Sequence, residues 1–217
     1  MKTLSALCPL SFARSTSSDI DCAPSSIDAL IHSIESFVSP NATYCSRIFS
    51  KEAMTIILGC YKKVVSGENW NKYAKDFLYA SNLAGIAFNN AGCGAVHALS
   101  YPLGGTYHIP HGEANMLMFE AVFKKYREKD PSGKINDLYL ILSDVLGCDE
   151  SSALDEMFKI LDLILKRNPL NTYGVKKEEL AVFAKSVIQN QGRLLANNYT
   201  SLSEDEMLEI YESVFDK

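Results

Sequence analysis

Three of the four histidines in the chain, His97, His108 and His111, fall between Val96 and Asn115, in VHALSYPLGGTYHIPHGEAN. The fourth, His32, stands four residues after Asp28 in SSIDALIHSIESF. Residues at i and i+4 share one face of a helix, so Asp28 and His32 form half of a metal site that other segments must complete. A carboxylate with several imidazoles suits a borderline divalent ion, Fe²⁺ or Zn²⁺, better than Mg²⁺ or Ca²⁺, which prefer all-oxygen shells. Asp28, His32, His97 and His111, drawn from three elements, would leave one or two coordination positions open for a substrate oxygen, the arrangement of a catalytic site.

Each part also has a bland reading. D-x-x-x-H on a helix is common by chance, a lone His97 on an apolar face can be a core histidine, and His108 and His111 beside Pro110 can be polar loop residues. Cys93, four residues before His97, admits a structural zinc held with His97, His108 and His111. Asn89-Asn90 and Asn197-Asn198 read as helix ends, and Phe119, Phe123 and Tyr126 as core.

The elements that must position these groups read as helices throughout. Ser25-Ser26 before Asp28 is an N-cap signal for a helix over 27–38, broken by Pro40-Asn41. A helix over 44–65 buries Ile48, Met54, Ile57, Leu58 and Tyr61 and stops at Gly67. Another over 69–89 carries Phe77, Leu78, Leu83, Ile86 and Phe88. Pro102, Pro110 and Gly104-Gly105 then form a bend with imidazoles at both ends. Further helices are expected over 113–128, 135–146, 152–167 and 176–189, and a last one opened by Ser203 with Glu206, a capping box. No segment shows two-residue alternation rich in β-branched side chains, so the fold class is all-α, a multi-helix bundle-like domain.

With 217 residues, 47% hydrophobic and 22% charged, the composition is that of a globular protein able to bury a real core. A net charge of −5 without a basic, aromatic-interleaved cluster argues against nucleic acid as a partner. No apolar run approaches the roughly 18 residues that span a bilayer. Six cysteines without a C-x-x-C pair read as reduced thiols of a cytoplasmic protein. Residues 1–23, Ser-rich and without a clean hydrophobic region, read as a disordered leader, with the helical domain over 24–217.

D-A-L-x-H-x-x-E from Asp28, A-S-N-x-A-G-x-A-F-x-N from Ala80, and V-H-A-x-x-x-P-L-G-x-x-Y-x-x-P-H-G from Val96 resemble the C-terminal half of the iron-containing (group III) alcohol dehydrogenases. Within that family they resemble the branch acting on 4-hydroxybutyrate. The resemblance runs from about Pro24 to the C-terminus. It implies an oxidoreductase that interconverts a primary alcohol and an aldehyde with NAD(P), 4-hydroxybutyrate and succinate semialdehyde being the pair. It implies an iron (or zinc) ligand set on Asp28, His32, His97 and His111, with His108 outside it.

Two departures matter. Where many members carry a further histidine, four residues after His97, this chain has Tyr101, which could donate a hydrogen bond to substrate or ribose. His108 could act in a second shell or proton relay. The family's G-G-G-S-x-x-D and T-x-x-G-T-G-S nucleotide segments do not occur in the 217 residues. The expectation is therefore a chain that brings the metal and leaves NAD(P) binding to a separate nucleotide-binding half or another copy. It could equally be a truncated or disrupted remnant that binds metal or associates with a full-length homologue, inactive alone.

Overall fold

The computed structural model describes residues 22–216. The expected leader lies almost wholly outside them. Among the described residues there is no strand, and no helix is long and apolar enough to cross a membrane. Ten α-helices form one packed body: α1 (Cys22–Val38), α2 (Tyr44–Val65), α3 (Ala74–Ala91), α4 (Ala95–Tyr107), α5 (His111–Lys129), α6 (Lys134–Leu146), α7 (Glu150–Ile164), α8 (Leu180–Asn190), the single turn α9 (Gly192–Leu195) and α10 (Glu204–Ser213).

Helix α1 is the axis. It is buried without a break from Ser26 to Ser39, wrapped by α2 and α3 on one side and α5 on the other. It begins at Cys22, five residues before the expected start. Pro24 falls in the first turn, where a helix needs no backbone N–H. Ser26 is therefore no cap: its hydroxyl donates to the Ala23 carbonyl and receives the Tyr61 hydroxyl at 2.8 Å. Helix α2 occupies the expected span, opened by a Thr43–Ser46 capping box. Met54, Ile57, Leu58 and Tyr61 are buried, but Ile48 is 50% exposed, because the buried face of that turn is supplied by Ser46 and Ser50 and Ile48 points the other way. Of the apolar residues expected along α3, Phe77 and Leu83 are buried, while Ile86 faces outward.

The largest departure concerns the Gly/Pro stretch. Pro102, Gly104 and Gly105 do not bend the chain; all three lie inside α4. The missing N–H of Pro102 removes one helical bond, and the Tyr211 hydroxyl from α10 donates to the adjacent Leu99 carbonyl at 2.6 Å. The actual turn is only His108–Pro110. His108 closes α4 in the left-handed region at φ 55°, a conformation for which histidine is among the more tolerant non-glycine residues. Tyr107 bonds Glu179 on one side of this turn, and Tyr173 bonds Glu113 at 2.5 Å on the other.

The turn sends α5 back toward the first turn of α1, where Gly112 meets Pro24. A Cβ on Gly112 would lie 2.1 Å from the Pro24 carbonyl oxygen, a backbone atom that cannot step aside. Gly112→Ala should therefore separate the two helix starts and cost about 2–3 kcal/mol. At roughly 2–4 °C per kcal/mol for a chain of this size, thermal denaturation followed by circular dichroism reads the loss. An unchanged midpoint would show that the contact is not tight.

Candidate metal centre

The interlocked starts of α1 and α5, with the first turn of α4, bring Asp28, His32, His97 and His111 into one place. Asp28 Oδ1 is the hub. It lies 3.4 Å from His97 Nε2, 3.5 Å from His32 Nδ1 and 3.6 Å from His111 Nε2. The donor atoms of Asp28, His97 and His111 fall within 4.8 Å of one another, and His97 shares a second such set with His32 and Cys93. The His32 and His97 ring centres are 4.2 Å apart, those of His97 and His111 5.5 Å.

Hydrogen bonds settle which nitrogens are free. His32 Nδ1 is 2.8 Å from the Asp28 carbonyl, which can only accept, so Nδ1 carries the proton and Nε2 the lone pair. His97 Nδ1 is 2.6 Å from Glu35 Oε2, a group of α1 not singled out from sequence. His97 Nε2, buried and facing Asp28, has no hydrogen-bond partner among the described residues. Asn115, also missed, donates from Nδ2 to Asp28 Oδ1 at 2.7 Å and stands 3.1 Å from His111 Nε2. Spacing held signals for both: Glu35 closes the D-x-x-x-H-x-x-E run one helical turn after His32, and Asn115 lies one turn after His111.

An orphaned imidazole nitrogen in a core is costly unless something binds it. Ligands on a metal with bonds of about 2.0–2.2 Å stand roughly 3.0–3.6 Å apart, so the Asp28, His97 and His111 atoms fit such a shell. His32 keeps the lone pair of its Nε2, and its donor atom groups with those of His97 and Cys93. A borderline divalent ion matches this mixture of imidazole and carboxylate.

The expected zinc set of Cys93, His97, His108 and His111 is not assembled. His108 is exposed at the end of α4, where it closes the helix, and makes no hydrogen bond or ring contact among the described residues. Cys93 does approach His32 and His97, and burial, with Glu35 and Asp28 nearby, pushes its thiol well above the ordinary value in the metal-free protein. Tyr101 lies one turn along α4 from His97, 40% exposed, its ring stacked near His111 at 6.0 Å. It stands at the mouth of the cluster. Asn89 and Asn90 bond back to carbonyls of their own helix. Asn197 binds the Cys93 carbonyl and accepts from Asn41, fastening the approach to α4.

The electrostatics follow from two carboxylates among buried imidazoles. Burial alone would raise Asp28, but His32, His97 and His111 outweigh it and hold the carboxyl well below the usual range. Burial lowers His32 to about 4, against the pull of Asp28. For His97 burial is overcome by Asp28 and Glu35, and its value rises to about 9. Burial also lowers His111.

These shifts fix the pH dependence of the metal-free protein. A His97 value raised above the unfolded one, near 6.5, supplies stability present below pH 6.5 and lost as pH rises through about 9. The depressed His32 value works oppositely: stability present above pH 6.5 is lost as pH falls toward 4. Thermal midpoints of chelator-treated protein should peak near neutrality, and His97→Gln should flatten the alkaline decline. A decline equally steep in that variant would contradict the assignment.

The sequence matches the Fe-containing alcohol dehydrogenase family, C-terminal, over residues 22–215. It is 51% identical over 195 residues to the 4-hydroxybutyrate dehydrogenase of Clostridium kluyveri, covering 88% of this chain and 52% of that protein. In three dimensions it resembles 1,3-propanediol oxidoreductase, with a TM-score of 0.79, 26% identity, and coverage of 92% of this chain and 53% of the other. The iron-containing alcohol dehydrogenase of Thermotoga maritima superposes with a TM-score of 0.71 at 26% identity, over 92% and 50% of the two chains. The chain thus spans about half the length of the relatives it matches.

Proposed function

The chain belongs to the iron-containing alcohol dehydrogenase family, and from that premise we propose that it is the metal-holding part of an NAD(P)-dependent alcohol dehydrogenase. Asp28, His32, His97 and His111 are the proposed ligands, and Fe²⁺ or Zn²⁺ the ion. The observation that carries the reading is the unpartnered His97 Nε2, buried opposite Asp28 and within reach of His111. The identity to the Clostridium kluyveri enzyme supports 4-hydroxybutyrate and succinate semialdehyde as the substrate pair.

A bound divalent ion would supply Lewis acidity, favouring the deprotonated alcohol from which hydride leaves for the nicotinamide. The chain's own residues do the rest. Asp28 brings negative charge to the centre, and Asn115 holds its Oδ1 in place. Phe88 lies against the His32 ring at 4.5 Å and helps keep water from the inner side. Tyr101, half-exposed at the mouth, is placed to donate a hydrogen bond to substrate or ribose. Burial raises its phenol, so it stays protonated at neutral pH. The nicotinamide would come with a nucleotide-binding half supplied from outside these residues.

Anaerobic loading of the purified chain with Fe²⁺ or Zn²⁺ tests this. One equivalent should bind, and Asp28→Ala should weaken it by more than the roughly 10–100-fold typical of a lost outer partner. Cys93→Ala should leave it unchanged. Binding insensitive to Asp28→Ala and abolished by Cys93→Ala would replace this reading with a thiolate site.

A further inference from the structure

Glu35 is the buried ionisable group that the ligand set leaves unexplained. It is 2% exposed in the middle of α1, and burying a carboxylate is costly unless it is fully partnered. Its two oxygens have different partners. Oε2 lies 2.6 Å from His97 Nδ1, and Oε1 accepts the Val96 backbone N–H at 2.8 Å. That N–H is one of the donors that the first turn of α4 cannot satisfy within its own helix. Gly94 leaves the room required: a Cβ there would stand 3.2 Å from Glu35 Oε1 and 3.0 Å from Asn198 Oδ1.

One carboxylate therefore ties down both the ring of His97 and the backbone that carries it. A carboxylate accepts only, so Nδ1 must donate, which leaves Nε2, on the Asp28 side, as the nitrogen that a metal would take in place of a proton. Asp28 and Glu35, two turns apart on one helix, face opposite nitrogens of the same ring. His32 Nδ1 instead bonds the Asp28 backbone carbonyl at 2.8 Å, with the Asp28 carboxylate farther off at 3.5 Å.

We propose that Glu35 is the positioning residue of the metal centre, acting through His97 to fix its tautomer and ring plane and thereby setting metal affinity. This rests on the metal reading above. An amide in its place offers one acceptor and one donor, so Glu35→Gln must either leave one of the two N–H groups unsatisfied or turn His97 to the tautomer with its proton on Nε2, toward Asp28.

The test is titration of the metal-free full chain with Co²⁺ and Zn²⁺. Glu35→Gln should bind about 10–100-fold more weakly than wild type, with an altered Co²⁺ ligand-field spectrum. Ser39→Ala serves as the stability control. It removes a 2.6 Å bond from α1 to the Ala91 carbonyl without touching His97, and should lower the thermal midpoint with affinity unchanged. A reading that needs no variant is nitrogen-15 NMR of Zn²⁺-loaded, histidine-labelled wild type: His97 should carry its proton on Nδ1 and the metal on Nε2. Affinity within twofold of wild type in Glu35→Gln, an equal loss in Ser39→Ala, or the reversed tautomer would overturn the role of Glu35 alone. A wild-type chain that takes up neither ion would overturn the metal reading and this inference with it.

Discussion

The whole arrangement depends on the burial of one polar helix. Helix α1 carries two carboxyl groups, a histidine and several serines along a stretch that no water reaches. A buried polar group without a partner costs more than a typical hydrogen bond contributes, so each must be met by a group from another helix or its own backbone. Ser36 finds Ser50 on α2, Ser39 finds Ala91 on α3, Glu35 finds α4, and Asp28 finds Asn115 on α5. Satisfying these demands orients the surrounding helices. The apolar residues of α1, Ile27, Leu30, Ile31 and Ile34, fill the remaining space.

Much of this was legible in the sequence, and the failures are instructive. Helix α2 and the capping box of α10 stood where local pattern put them, because Thr43, Ser203 and the apolar spacing act within a few residues. The start of α1 did not, since serine before an apolar run resembles a cap whether or not it serves as one. The straight passage of α4 through Pro102 and two glycines could not be read locally. The packing that sustains it, including the Tyr211 hydroxyl, comes from a segment 112 residues away. Ile48 is exposed because the buried face of its turn is polar, Ser46 and Ser50, and an apolar stripe read from sequence passes over buried serines.

The site divides the same way. Asp28, His32, His97 and His111 could be singled out because imidazoles are few in this chain and chemically distinctive. Glu35 and Asn115 could not: acidic and amide side chains are common on helices, and only a three-dimensional neighbour separates an outer partner from a solvated one. His108 stands close to His111 in sequence, and its left-handed backbone ends α4 there.

The bond between Asn115 and Asp28 joins positions 87 residues apart. Closing a loop of that length costs an unfolded chain on the order of 4 kcal/mol in entropy. An ion held by the proposed ligands on α1, α4 and α5 would in effect be a removable cross-link across that loop. Once present, it would oppose the separation of those helices. Metal occupancy and the lifetime of the native state would thereby be coupled: removing the ion would leave the Asn115–Asp28 bond alone to clasp α5 to the central helix.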